Sequence, residues 1–371
     1  MPIFGKLKLS LIRKGVFLGP SALEAAEISR GCVAGAPGEE IALALAENFI
    51  VKVALRPDPA DCPRLEIKDG APSLRLEDGV MDVGIIPLPQ FIRQQMQTRS
   101  PISENVCLDG YCLNVFLRAV GQGSRLNLKQ DEVLDVIRNA FEEGVADLVQ
   151  INMDYSKAPD RGFTRLLPVI QAIKKTFNTF VALRGFPPEN RQLLDRLYAA
   201  GVDLLNLPLE GFAGGGNVEV PSYSQILDAL EYAAGVFSPG ALWTELALGG
   251  NPGPIKDKID ALAKKNIVPL LKLQAPSIST GNEYERVQDV VRHLDRAAQE
   301  ARLPLKWLYP ACRYVSPLDT AFFLSKPKNA RLKLTPVYKS PLGRKASEGF
   351  AALRRRLRIK NVSDSYESAG L

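Results

Sequence analysis

The sequence predicts an α/β fold: a TIM-type or partial (β/α) barrel, with a small N-terminal α+β extension and a basic C-terminal tail. Three observations point to it. From about residue 101, helix-like and strand-like stretches alternate, and successive strand starts lie about 24 to 40 residues apart. That is the length of a strand, a crossover helix and two loops. The strand-like stretches are predominantly apolar, as expected where helices cover one face of a sheet and a barrel core fills the other. No glycine-rich nucleotide loop follows the first strand, which favours a barrel over a doubly wound sheet.

Residues 1–100 differ in texture and read as the extension. Leu7–Leu11 alternates like a strand, Glu40–Glu47 is rich in Ala and Leu like a helix, and Val51–Leu55 runs apolar like a strand. Arg64–Lys68 and Ser73–Glu77 flank Asp69-Gly70-Ala71-Pro72, a hairpin turn, and Val83–Leu88 is a further apolar run. The barrel is expected over 101–325. Its strand and helix pairs begin with helix Gln130–Glu143 and strand Val145–Ile151, then helix Leu166–Phe177 and strand Asn178–Leu183. Helix Arg191–Ala200 leads to strand Val202–Leu207, and helix Tyr223–Ala234 to strand Leu242–Leu248. Helix Ile255–Lys265 precedes strand Ile267–Leu273, and helix Tyr284–Gln299 precedes strand Leu305–Leu308. Gly214-Gly215-Gly216 lacks the spaced glycines of a dinucleotide site and reads as a loop. Residues 326–371 form the basic segment.

Composition narrows the chemistry. Of the 371 residues 46% are hydrophobic and 24% charged, enough for a substantial core in a soluble chain. The net charge of +6 gathers in the tail, at Arg331, Lys333, Lys339, Arg344 and Lys345, then Arg354, Arg355, Arg356, Arg358 and Lys360. The rest is close to neutral, so nucleic acid is not an expected partner of the body. The tail and the extension are the candidate docking surfaces for a protein partner. No signal peptide pattern or stretch of 18 apolar residues occurs, and a cytoplasmic, non-membrane protein is expected. With a single histidine, His293, set in a charged helical segment and read as a surface side chain, a Ser-His-Asp triad or His-based zinc site is disfavoured.

In a barrel, chemistry collects where strands end at the C-terminal face. Polar residues stand there repeatedly: Asn152 and Asp154, then Arg184, then Glu210, with Glu245 and Lys272 inside later strands and Gln274 just beyond. Burying Arg184, Glu245 and Lys272 near one axis is unfavourable unless they pair or meet a polar ligand. This mixture suits a small polar substrate. Cys107 and Cys112 flank Asp109-Gly110, a turn that brings the sulfurs near one another, and Cys312 follows the last strand. They read either as partial ligands of a metal or iron–sulfur cluster, or as structural thiols.

The stretch 101–300 resembles the biotin-synthase-like branch of the radical S-adenosylmethionine superfamily. The resemblance rests on order: a Cys loop after Ile102–Val106, the helix at Gln130–Gly144, the phrase Ala200-Gly201-Val202-Asp203 before Glu210, and Gly249-Gly250 after the strand Leu242–Leu248. The resemblance implies S-adenosylmethionine and an iron–sulfur cluster as cofactors, with Cys107, Cys112 and Cys312 as metal ligands. It implies that Asn152, Asp154, Glu210 and Gln274 bind the nucleoside, and that the enzyme serves cofactor or natural-product biosynthesis. The departures are a C-x4-C pair in place of three clustered cysteines, and Asn152-Met153-Asp154 in place of a glycine-glutamate phrase. If Leu113–Leu117 is the first strand, the cysteines stand on the wrong side of the barrel. Two other readings stay open: a cluster-less lyase or transferase using Glu245, Lys272 and Arg184 in acid/base chemistry, and a non-catalytic scaffold.

Overall fold

Amphipathic helices alternating with apolar strands must bury their apolar stripes against a sheet. The computed structural model describes residues 4–324, except segments 24–30, 33–38, 47–48, 59–61, 121–124, 210–220, 249–251, 274–282, 306–307 and 309–311 and positions 78, 99 and 111. The basic segment, Glu210, Gln274 and both glycine runs singled out above therefore lie outside the described residues.

The main sheet has eight strands: β1 Val106–Asp109, β2 Cys112–Leu117, β3 Leu148–Met153, β4 Phe180–Arg184, β5 Leu204–Asn206, β6 Leu242–Leu248, β7 Ile267–Leu273 and β8 Tyr314–Val315. Their spatial order repeats their chain order. Strands β2 to β6 pair in parallel, β1 is antiparallel to β2, and β8 is antiparallel to β7. A doubly wound sheet reverses its order at a switch point; this sheet never does. Crossovers between parallel sequential neighbours are as a rule right-handed, so their helices collect on one side of such a sheet and the opposite face is its interior. The fold is a partial (β/α) barrel, whose described strands form a sheet with two edges, β1 and β8.

The crossover helices are α1 Gln130–Glu142, α2 Phe163–Thr176, α3 Gln192–Ala200, α4 Tyr223–Ala234, α5 Pro252–Ala263 and α6 Glu283–Glu300. Their ends are set by local chemistry. Glu132 Oε2 accepts from the Lys129 N–H that precedes α1, and Ser222 and Gln225 form a reciprocal capping box on α4. Helix α3 stops at Gly201, whose φ of +110° is left-handed, and Val202 N–H returns to Leu197 O. Asp203 then accepts from Val181 N–H and from Lys174 Nζ on α2. The Ala-Gly-Val-Asp phrase is thus a helix stop followed by a carboxylate staple. Among the described residues no helix is long and apolar enough to cross a membrane.

The chain divides into two compact units: residues 89–245 with 265–268, and residues 1–88 with 246–264 and 269–334. The second contains the N-terminal elements. Expectations there are corrected twice. Leu7–Leu11 is not a strand but part of a helix, Phe4–Lys14. Its apparent alternation came from counting Lys8 as polar, whereas Lys8 is 0% exposed. Its ammonium lies 4.8 Å from the Phe49 ring centroid and donates to Tyr314 O, so Leu7, Lys8 and Leu11 form one buried helical stripe. Conversely, Glu40–Glu47 is not a helix but falls in strand Glu39–Ala46. Ile41, Leu43 and Leu45 are buried and the intervening alanines half-buried, a period of two that overrides the helical propensity of Ala and Leu.

The hairpin forms as expected, Arg64–Lys68 against Ala71–Leu76, with Asp69 and Gly70 both at positive φ in its two-residue loop. Residues 306 and 307 of the expected strand Leu305–Leu308 lie outside the described residues; among the described strands the edge of the sheet is β8. His293 is no surface side chain either. It is largely covered, its Nε2 2.8 Å from Asp260 on α5 and its Nδ1 2.9 Å from Arg296.

Candidate functional site

The unit of residues 89–245 builds its polar site from alternation. In a strand, alternate residues share a face, and the registers align those faces across strands. One row is Cys107, Asn114, Gln150, Ala182 and Leu204; the next is Phe116, Asn152, Arg184, Asn206 and Trp243. Glu245, two residues beyond Trp243 on β6, continues this face. The opposite face carries Leu113, Val115, Val149, Ile151, Val181, Leu183 and Leu205, all buried. The helix-covered side is therefore apolar, while the interior side carries amides and an ion pair.

Two hydrogen-bonded groups occupy the interior face. In the first, Gln150 Nε2 and Asn152 Nδ2 both donate to Asn114 Oδ1 at 3.0 Å, and Gln150 Nε2 also donates to Asn152 Oδ1 at 2.8 Å. Asn114 Nδ2 in turn donates to Cys112 O. In the second, Arg184 grips Glu245 through two bonds, Nε to Oε1 at 2.5 Å and Nη2 to Oε2 at 2.9 Å, and Asn206 Nδ2 donates to Glu245 Oε1 at 3.0 Å. Glu245 is 0% exposed and the Arg184 side chain 18%, so the carboxylate is sealed and the guanidinium reaches the solvent edge. A buried charge without a partner is far costlier than a paired one, which accounts for the bidentate grip.

One atom breaks this economy. Asn206 is 3% exposed, yet its Oδ1 is buried with no hydrogen-bond partner. Such orphans are rare in folded proteins. Just above, Thr244 on β6 donates to Leu207 O and accepts from Leu209 N–H, tying down the chain as it leaves β5.

The sequence-predicted residues fall into separate places. The structure joins Arg184 to Glu245 and sets Asn152 on the same face. Asp154 lies exposed just past β3. Lys272 is half-buried on β7, paired in register with Tyr314. Cys107 and Cys112 stand in the β1–β2 hairpin, where Gly110 at φ +62° makes the turn. Cys112 opens β2, level with Leu148 at the start of β3, whereas Cys107 pairs in register with Asn114, one row from Asn152, Arg184 and Asn206. Cys312 is buried just before β8. Among the described residues no three His, Cys, Asp or Glu side chains gather as a metal-holding group.

Asn114, Gln150 and Asn206 were missed by sequence reasoning, which inside strands singled out only charged residues and looked for amides only beyond strand ends. The signal was available inside the strands: Cys-Leu-Asn-Val-Phe-Leu, Leu-Val-Gln-Ile-Asn-Met and Leu-Leu-Asn each place an amide among apolar residues. A buried amide needs a partner. A separate shallow cleft of about 430 Å³ lies at Pro159, Asp160, Pro188, Asn190, Gln192 and Arg196. Burial pushes the Asp160 carboxyl up, but hydrogen bonds from Gly162 and Thr164 and the nearby Arg165 bring it below its ordinary range; it serves as the cap of α2.

No protein-family model and no curated protein matches the chain. Solved structures similar to it include a dihydropteroate synthase from Coxiella burnetii, 15% identical with a TM-score of 0.31, covering 53% of this chain and 71% of that one. A dihydropteroate synthase from Xanthomonas albilineans is 14% identical with a TM-score of 0.30, covering 68% and 87%. A mutant tryptophan synthase α-subunit from Pyrococcus furiosus is 13% identical with a TM-score of 0.29, covering 51% and 75%. Likeness at this level leaves the fold assignment to rest on the strand order itself.

Proposed function

We propose that this partial barrel is an enzyme that binds a small polar substrate on its interior face and transforms it by polar chemistry, as a lyase or transferase, without a cysteine-held cluster. The observation that carries the reading is the pair of Arg184, at the end of β4, with Glu245, inside β6, hydrogen-bonded by Asn206 and flanked by Asn152. Glu245, sealed from solvent, holds the guanidinium in one orientation. Arg184, at the solvent edge, is the group that meets charge as it develops on a substrate oxygen. Preorganised donors in a water-poor site stabilise such charge strongly, because they need no reorganisation when the reaction occurs. In this reading Glu245 is a positioning residue and Arg184 the catalytic one. Lys272, the candidate amine or base, stands as a separate assignment, tested by its own alanine variant.

The test is substrate profiling. Purified protein is incubated with a small-molecule extract, and consumed compounds are identified by mass spectrometry. A compound consumed by the wild type and spared by Arg184→Gln supports the reading. Turnover that survives Arg184→Gln but is lost in a Cys107/Cys112 double variant, with iron and sulfide bound after anaerobic reconstitution, would return the chain to radical chemistry.

A further inference from the structure

The hydrogen-bond directions in both polar groups can be traced from acceptor-only anchors. A carboxylate cannot donate, so Glu245 compels Asn206 to turn its N–H toward it and its carbonyl away. The Cys112 backbone carbonyl does the same to Asn114, whose Oδ1 must then face its neighbours. Those neighbours answer with N–H groups: both Gln150 Nε2 and Asn152 Nδ2 point at Asn114 Oδ1. Each chain of donors therefore ends on carbonyl oxygens. Asn206 Oδ1 is buried without a partner. Gln150 uses only its Nε2 in hydrogen bonds to the described residues, leaving its Oε1 open. Asn152 Oδ1 accepts one bond where a carbonyl oxygen can accept two.

On the same face the Arg184 guanidinium and the Glu245 carboxylate are paired with one another. A face that presents open acceptors from two strands, with its guanidinium and carboxylate already paired, selects a partner by its donors. We infer that the interior face recognises a neutral molecule carrying a donor edge, two or more N–H groups in an amide, ureido or aminopyrimidine arrangement, and that Asn206 Oδ1 is its deepest specificity contact. Sites built to hydrogen-bond a donor reject analogues that lack it strongly, since the acceptor is then left unpaired. This inference rests on the proposed substrate-binding reading of the same face.

The experiment measures binding by calorimetry and saturation-transfer NMR, using uracil, 2-aminopyrimidin-4-one and imidazolidin-2-one, each beside its N-methylated counterpart. The expected result is binding of at least one donor-bearing probe and at least tenfold weaker binding of its N-methylated form. Asn206→Leu should weaken that probe at least tenfold while its N-methylated form changes little. Gln150→Leu, at a half-buried position where folding is less at risk, should weaken it severalfold. Equal binding of a probe and its methylated form, no binding by any probe, or unchanged binding in a folded Asn206→Leu variant overturns the inference. Failure here is separable from failure of the enzymatic reading. Substrate turnover lost in Arg184→Gln, together with indifference to N-methylation, sinks only the donor-edge inference. Donor selectivity together with turnover that ignores Arg184→Gln sinks only the assignment of catalysis.

Discussion

Single side chains carry the sharpest physical consequences. Glu245 is sealed from solvent and balances Arg184. Glu245→Gln leaves the guanidinium half-buried without its counter-charge, and breaking a buried pair from one side typically costs about 3–5 kcal/mol; chemical denaturation should register a loss of that order. Arg184→Met should be similarly harmful, whereas replacing both partners with apolar residues should restore much of the stability, which a double-mutant cycle would read. Tyr284 gives a pH signature. Burial pushes its phenol up from 10.0 to about 12, and its hydroxyl donates to Phe323 O. Below the unfolded value both states keep the proton and nothing changes. As pH rises from 10.0 toward about 12, the unfolded chain ionises first, so stability falls across that window. Tyr284→Phe should flatten that alkaline slope in thermal melts. Gln288 Nε2 still donates to the freed Phe323 carbonyl, so the loss at neutral pH should stay near ~1 kcal/mol.

At the level of elements, the junction of β4 with α2 is a close approach between two buried segments. A Cβ on Gly185 would sit 2.9 Å from Phe163 Cε1 and 3.4 Å from Met153 Cβ. Phe163 is fully buried and cannot swing aside. Overpacking of this kind typically costs about 1–3 kcal/mol, so Gly185→Ala should lower the melting temperature and shift Arg184, its immediate neighbour in the chain. The Lys174–Asp203 staple joins α2 to the turn before β5, and Asp203 also holds Val181 N–H on β4. Asp203→Ala should therefore cost more than an exposed ion pair, on the order of 1–3 kcal/mol for the backbone donor left behind, measured by urea unfolding. Several elements were legible in the chain. The hairpin at 64–76, the five crossover helices from α1 to α5 and the strands they feed follow from periodicity and turn chemistry. Two N-terminal elements were misread for opposite reasons. Lys8 hid a helical stripe by burying a charged residue, and Leu43 and its flanking alanines concealed a strand behind helix-favouring composition.

For the whole molecule, the strand order is the decisive quantity. Neighbour-to-neighbour winding was expected from the absence of a nucleotide loop and from the regular spacing, and the sheet order bears it out. The candidate site was only partly legible. Arg184, Glu245 and Asn152 could be nominated because polar residues in or just after apolar strands are conspicuous. Their partners could not, because a hydrogen bond between residues 61 apart in the chain, such as Arg184 to Glu245, leaves no local trace. The same holds for Asn114, whose role depends on residues 36 and 38 positions away. By itself the sequence determined the alternation of strands and helices, the apolar character of each strand, and the positions at which polar groups interrupt it, since these depend on local periodicity. Only the tertiary structure decided which polar groups meet, which row of the sheet each cysteine of the hairpin falls in, and which carbonyl oxygen stays unpaired. Each of these is set by register between strands, and register is a property of pairing rather than of any one segment.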